Sequence, residues 1–106
     1  MLISTDYSSG RLTIRLSGEL DHHGSREVMQ KIDVLIDEYL PRDTAIDMSG
    51  LSFMDSSGIA LILRTERRMR EMGGRAAVLN PGKQPLRVID ASGIDRMISV
   101  KGARRQ

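Results

Sequence analysis

The order of sequence patterns predicts an α/β domain, a mixed sheet of four to five strands packed with about three helices. Three observations carry that reading. Two alternating strands open the chain around Ser8-Ser9-Gly10, and helical stripes then take turns with short apolar strands as far as Val100. Connections this short between strands of one sheet are made by helices packed on its surface. A length of 106 residues, 40% hydrophobic and 28% charged, fits a single domain over residues 1–106 with one core.

The first strand is expected near residues 2–7, since Ser8-Ser9-Gly10 reads as a hairpin turn and a second strand follows it. There Leu12, Ile14 and Leu16 alternate with Arg11, Thr13, Arg15 and Ser17, the period of a half-buried strand. After Glu19-Leu20-Asp21-His22-His23-Gly24, Ser25 is expected as the N-cap of a helix whose stripe is Val28, Ile32, Leu35, Ile36 and Tyr39, ended by Pro41. Thr44 to Met48 reads as a short strand and Ser49 to Met54 as a loop. A second helix begins at Asp55-Ser56-Ser57-Gly58. Its apolar stripe is Ile59, Ile62, Leu63, Met69 and Met72, interrupted by Glu66, and Gly73-Gly74 ends it. Ala76 to Leu79 forms a strand, Asn80-Pro81-Gly82 a turn, and Pro85 sits in the first turn of a helix reaching Gly93. Arg96 to Val100 is expected to form the last strand.

Composition narrows the function. One Phe, two Tyr and no Trp leave little aromatic surface for stacking bases. The net charge is only +2, and part of the basic excess lies in the tail Lys101, Arg104 and Arg105, so nucleic acid is not the expected partner. Cysteine is absent, which removes disulfides and thiol chemistry. No basic region leads into an apolar run at the amino terminus, and no stretch reaches membrane-spanning length. A cytoplasmic protein without a membrane segment is the expectation.

The segment Asp55-Ser56-Ser57-Gly58 carries the clearest chemistry. It places two hydroxyls where a strand-end loop meets a helix N-terminus, a position that favours anions. A phosphate there would bring about −1.5 to −2 charges, stabilised by helix amides and repelled by Asp55 and Asp21. The structural alternative is that Asp55 and Ser56 only cap the helix.

Other chemistries fit less well. The segment lacks the Gly-x-Ser-x-Gly pattern of a nucleophile elbow, and adjacent His22 and His23 project in different directions from extended chain, so a serine hydrolase is not expected. Asp21, His22 and His23 have no standard metal-ligand spacing and no other His to join them, so no metal site is expected. Gly82-Lys83 has no Ser or Thr after it, which removes a phosphate-binding loop. Arg64, Arg67, Arg68 and Arg70 spread around their helix, as a solvated surface does.

Three segments together resemble the STAS domain family, shared by sulfate transporters and anti-sigma factor antagonists, and within it the sporulation antagonist branch. They are Gly18-Glu19-Leu20-Asp21-His22-His23, Leu51-Ser52-Phe53-Met54-Asp55-Ser56-Ser57-Gly58, and Ala91-Ser92-Gly93-Ile94. The Phe-Met-Asp-Ser-Ser-Gly string is the specific one. The resemblance implies the STAS fold and a non-enzymatic antagonist. Its unphosphorylated form would bind an anti-sigma factor that is also a serine kinase and free the sigma factor. The acceptor it implies is the first Ser after Asp, here Ser56. Ser57 would help position the helix start, and Asp21, Asp55, Gly58 and Ile59 would lie at or near the surface that faces the kinase. A phosphatase would restore the active form, and the ATP belongs to the partner, so no cofactor is expected.

Members of that branch usually continue into another helix after the last strand, whereas this chain stops at Val100-Lys101-Gly102-Ala103-Arg104-Arg105-Gln106. A missing final helix would leave part of the sheet or a neighbouring helix less covered, with self-association or a marginally stable end as the two consequences. A second reading of the same resemblance is a STAS module acting as a scaffold or ligand-binding part of a larger assembly. Phosphorylation of Ser56 separates the two.

Overall fold

Strands β1 (Leu2–Ser8) and β2 (Arg11–Leu20) form the antiparallel hairpin that the alternation predicts. Leu12, Ile14 and Leu16 are fully buried, while Arg11 and Arg15 on the other face are exposed and Thr13 is half-buried. The computed structural model describes residues 1–103. Helix α1 (Ser25–Tyr39), strand β3 (Asp43–Met54), helix α2 (Ser56–Glu71), strand β4 (Arg75–Leu79), helix α3 (Lys83–Ser92) and strand β5 (Ser99–Lys101) follow. The sheet order is β1-β2-β3-β4-β5, with β2 to β5 parallel. Successive parallel neighbours joined by right-handed crossovers carry all their helices on one face. The burial pattern agrees: Leu12, Ile14, Leu16, Ile46, Met48 and Val78 meet Val28, Ile32, Ile36, Leu61, Ile62, Met69 and Ile89 in one core. Each such side chain contributes about 1.5–3 kcal/mol when fully buried.

The central strand β3 is buried on both faces from Thr44 to Met48. On the face away from the helices Asp47 is buried, yet it is satisfied by the Ser49 N–H at 2.9 Å and by Arg15 at 3.5 Å. Burial tends to raise its pKa, but the Ser49 backbone and hydroxyl, Asn80 and Arg15 outweigh this and hold the carboxyl below its ordinary value.

Three sequence expectations need correction. Residues Ser49 to Met54 are strand, not loop: after register shifts they pair with the end of β2, Ser17 opposite Gly50 and Leu20 opposite Met54. The loop-like composition arises because glycine is required at a close approach, where a Cβ on Gly50 would collide with the Ser17 hydroxyl. Ser25 does not cap α1. It is the buried first residue of the helix, and the carboxylate of Asp21 accepts from the N–H groups of His23 and Gly24 at 3.0 and 3.2 Å. Arg96 does not begin the last strand. Ile94–Arg96 is a 3₁₀ turn, and the strand starts at Ser99.

The stops otherwise follow the chemistry expected of them. Leu40 ends α1 in the left-handed region just before Pro41. At the end of α2, Gly74 and Gly73 donate to the carbonyls of Met69 and Arg70, the paired bonds of a Schellman motif. Arg104, Arg105 and Gln106, which belong to the tail that raised the question of a final helix, lie outside the described residues.

Candidate functional site

The segment Leu51 to Gly58 runs from the end of β3 through Asp55 into the first turn of α2, and its conformation is held from both sides. The Asp55 N–H donates to the Leu20 carbonyl of β2 at 3.2 Å. On the other side the Gln84 side chain of α3 pairs with both backbone groups of Met54, at 2.8 and 3.0 Å. The chain therefore enters α2 in a fixed direction, with Asp55 as the extended N-cap residue.

Asp55 does the capping. Its carboxylate accepts from the Ser57 N–H at 2.8 Å, and the Gly58 N–H donates to the Asp55 carbonyl at 3.0 Å. The Ser57 N–H lowers its pKa most; a smaller effect of burial acts the other way, and the Ser57 hydroxyl, the His22 N–H and the His22 charge add to the lowering. Asp55 is thus held ionised at the mouth of the helix. His22 Nδ1 lies 3.9 Å from Asp55 Oδ2, and the His22 and His23 rings pack 4.0 Å apart. This places the segment after β2 beside the helix start, as the resemblance implies for Asp21.

Ser56, the first residue of α2, is exposed. Among the described residues its hydroxyl makes no side-chain hydrogen bond; the cap is Asp55, and the Ser56 hydroxyl has no part in it. Because the Ser57 amide is already occupied by Asp55, a phosphate on Ser56 meets an ionised neighbour and gains less from the helix end than an empty N-terminus would give.

The remaining residues divide by exposure. Asp21 and Ser57 are half-buried, and both are engaged in helix-start hydrogen bonds. Ile59 is half-buried and packs against the core. Gly58 is buried, and a Cβ there would lie 2.7 Å from Met54 Sδ and 3.1 Å from Met54 Cβ. Gly58 thus seats α2 against β3, two residues after Ser56. Gln84 was missed: in Lys83-Gln84-Pro85 it reads as an ordinary first-turn residue, and only the end of β4 at Leu79 reveals the unpaired strand edge it fills.

The arginines of α2 are more engaged than a solvated surface requires. Arg64 reaches Asp33 at 2.8 Å. Arg68 binds the Asp33 carboxylate and carbonyl at 3.2 and 2.9 Å and also pairs with Asp37. Burial opposes the Arg68 charge, but Asp37 and Asp33 outweigh it and raise its pKa. The pairs tie α1 to α2, and Asp33, Arg64 and Arg68 line a groove of about 220 Å³ together with Arg67 and Glu71. Arg70 pairs with Glu66 at 3.8 Å, which explains how that carboxylate sits within an apolar stripe. Among the described residues no group of three or more His, Cys, Asp or Glu is placed to hold a metal ion, and no helix is long and apolar enough to cross a membrane.

With this geometry in place, comparison with known proteins identifies the family. The model of the STAS domain matches residues 3–105. The chain belongs to the STAS domain family. An anti-sigma F factor antagonist from Paenibacillus polymyxa is 34% identical over 92% of this STAS chain and 84% of its own length. One from Lysinibacillus sphaericus is 39% identical over 78% of this chain and 71% of its own. Among solved structures, the anti-sigma factor antagonist SpoIIAA in its unphosphorylated form is 31% identical. It superposes with a TM-score of 0.80 over 93% of this chain and 87% of its own. The phosphorylated form of the Bacillus cell fate determinant SpoIIAA gives a TM-score of 0.71 at the same identity, over 93% and 90%. The five-stranded mixed sheet with three helices is the STAS fold of these neighbours.

Proposed function

We propose that this STAS domain is an anti-sigma factor antagonist switched by phosphorylation of Ser56. Unphosphorylated, it binds an anti-sigma factor that is also a serine kinase, and the sigma factor is released. The kinase moves the γ-phosphoryl group of ATP to Ser56 Oγ, whose proton passes to a base of the kinase. The phosphorylated form then leaves the kinase, and a phosphatase restores it. The chain performs no catalysis, carries no cofactor, binds neither nucleic acid nor membrane, and works in the cytoplasm where kinase, ATP and sigma factor meet.

One observation carries this reading. Ser56 is exposed on the first residue of α2 beside the ionised carboxylate of Asp55. Its modification changes the charge of that surface without removing a cap, because the cap belongs to Asp55. The relatives named anti-sigma F factor antagonists support the choice of partner, and the existence of phosphorylated and unphosphorylated SpoIIAA structures supports the choice of switch. Asp55, Ser57, Gly58 and Ile59 beside Ser56, together with Asp21 in the segment whose His22 lies against Asp55, form the surface we assign to the kinase.

The test is incubation with ATP and the anti-sigma F factor that the Lysinibacillus sphaericus relative antagonises, followed by intact mass and peptide mapping. The expected result is one phosphate, on Ser56, and loss of the complex. No phosphate, with the kinase active on its own antagonist, refutes the switch and favours a scaffold role for the domain.

A further inference from the structure

Strand β3 outlasts its neighbour. Its pairing with β4 ends at Asp47 opposite Leu79, whereas its pairing with β2 continues to Leu20 opposite Met54. Over its last residues β3 therefore has one edge with no strand beside it. A backbone group left unpaired in a half-buried edge is costly. At Met54 the gap is filled by a side chain: the Met54 N–H donates to Gln84 Oε1 at 2.8 Å, and Gln84 Nε2 donates to the Met54 carbonyl at 3.0 Å. One primary amide thus acts as one residue of the missing strand, and only this orientation of the amide satisfies both groups.

The position of that residue matters because Met54 directly precedes Asp55 and Ser56. The next amide, Asp55 N–H, is held on the opposite side by Leu20. Met54 is also the residue on which Gly58 rests. Three contacts from three elements meet on two consecutive residues, and of the three only the Gln84 clamp comes from α3. A side-chain clamp differs from a strand ladder in that it can be removed without touching the backbone of the sheet.

We propose that Gln84 is a positioning residue for the modification site: by clamping Met54 it fixes the path of the chain into α2, so that the Ser56 hydroxyl is presented to the kinase in one orientation. This rests on the reading of Ser56 as the acceptor. The clamp also links α3 to the Ser56 loop, so a ligand or substitution that shifts α3 alters phosphorylation without contacting Ser56. A misplacement of about 1 Å in a reacting group is enough to cost on the order of a hundredfold in rate.

The experiment uses Gln84→Met, which keeps length and removes both hydrogen bonds, and Gln84→Glu, which keeps the acceptor for the Met54 N–H but sets a lone pair against the Met54 carbonyl. Amide hydrogen exchange on the protein alone is expected to speed up about tenfold or more at Met54 in Gln84→Met, with core amides of β2 and α2 unchanged. Phosphorylation of Ser56 by the same anti-sigma F factor is expected to lose roughly 10- to 100-fold in kcat/KM, mainly in kcat, in both variants. In Gln84→Glu, acidification that protonates the carboxyl returns a donor, and Met54 exchange slows towards wild type after correction for pH. That rescue reports the clamp itself, and the loss of kcat at Ser56 in a folded variant is what a merely structural clamp would not produce. Unchanged exchange at Met54 overturns the clamp. Wild-type kcat in a folded Gln84→Met protein overturns the positioning role alone, while a wild-type protein that takes no phosphate at Ser56 overturns the functional reading with it.

Discussion

Replacing Gly58 by alanine sets two effects of opposite sign against each other within one residue. In the interior of a helix, alanine is favoured over glycine by about 1 kcal/mol. Here the new methyl would lie 2.7 Å from Met54 Sδ, 3.1 Å from Met54 Cβ and 3.2 Å from Met54 Cγ. The sulfur can rotate away at small cost, but the Cβ cannot, because the Met54 backbone is fixed by Gln84 and its side chain is fully buried. Overpacking of that kind costs about 1–3 kcal/mol. The clash wins, and the expected net loss is about 1 kcal/mol. With a urea slope of about 2 kcal/mol/M for a small domain, the midpoint falls by roughly 0.5 M. The assay is urea unfolding of wild type, Gly58→Ala, Met54→Ala and the double variant. In the Met54→Ala background the contacts to Sδ and Cγ are gone and only the 3.1 Å contact to Cβ remains, so the Gly58 substitution should cost less there than in the wild-type background. A Gly58→Ala protein that gains about 1 kcal/mol in the wild-type background would refute the close approach of α2 to β3.

Removing Arg68 and removing Arg67 should have different effects although both are paired. Arg68→Ala breaks half-buried contacts to Asp33 and should cost about 1 kcal/mol in chemical unfolding. Arg67→Ala breaks only an exposed pair with Glu71 at 3.9 Å and should change stability by less than about 0.5 kcal/mol. Asp21→Ala removes the acceptor of the His23 and Gly24 N–H groups in the turn before α1 and is expected to cost about 0.5–1.5 kcal/mol; a neutral result by the same unfolding assay would contradict a structural role for that turn. For Asp55, whose folded pKa is lowered from 3.8, the linkage gives a contribution fully present above the unfolded value of about 4 and lost as pH falls through the depressed folded one. Carbon-detected NMR titration should find its midpoint below 3.8. Ser56→Asp should weaken kinase binding and Ser56→Ala should bind without being modified; equal binding of both to the kinase would count against the switch.

The sequence made the hairpin, the three helices and the Ser56 loop legible because each is written in local chemistry. Leu12, Ile14 and Leu16 alternate, Val28, Ile32 and Ile36 recur at helical spacing, and Asp55 stands where a cap belongs. What stayed hidden depends on residues far apart in the chain. The strand character of Ser49 to Met54 comes from pairing with Ser17 to Leu20, which overrides a turn-like composition. Ser25 is already the buried first residue of α1, Gly24 stands at the N-cap position without a side-chain cap, and the Asp21 carboxylate closes the turn before it. Gln84 had no local signal at all, since the edge it fills exists only because β4 is shorter than β3.

The division of labour between Asp55 and Ser56 bears on how such a switch avoids a folding penalty. A phosphate placed on the capping residue itself would have to replace a cap worth about 0.5–2 kcal/mol. By moving the cap to Asp55, the fold leaves the neighbouring hydroxyl without a structural duty, and the free energy of phosphorylation can act on the partner. The direct charge effect is modest: two unit charges about 6 Å from a like charge in water interact by only about 1.4 kcal/mol, close to tenfold in affinity. A larger discrimination needs desolvation, which a dianion buried at an interface beside an ionised carboxylate would supply. The Asp55 carboxylate therefore does two jobs with one charge. It holds the helix start, and under the proposed switch it would make burial of a phosphorylated surface against the kinase more costly than burial of the bare serine. On this argument Asp55→Asn, which can still accept from the Ser57 amide through its side-chain oxygen, should leave stability nearly intact while narrowing the affinity gap between phosphorylated and unphosphorylated protein in a calorimetric titration with the kinase. An unchanged gap would place the discrimination in the shape of the phosphate and not in the charge of its neighbour.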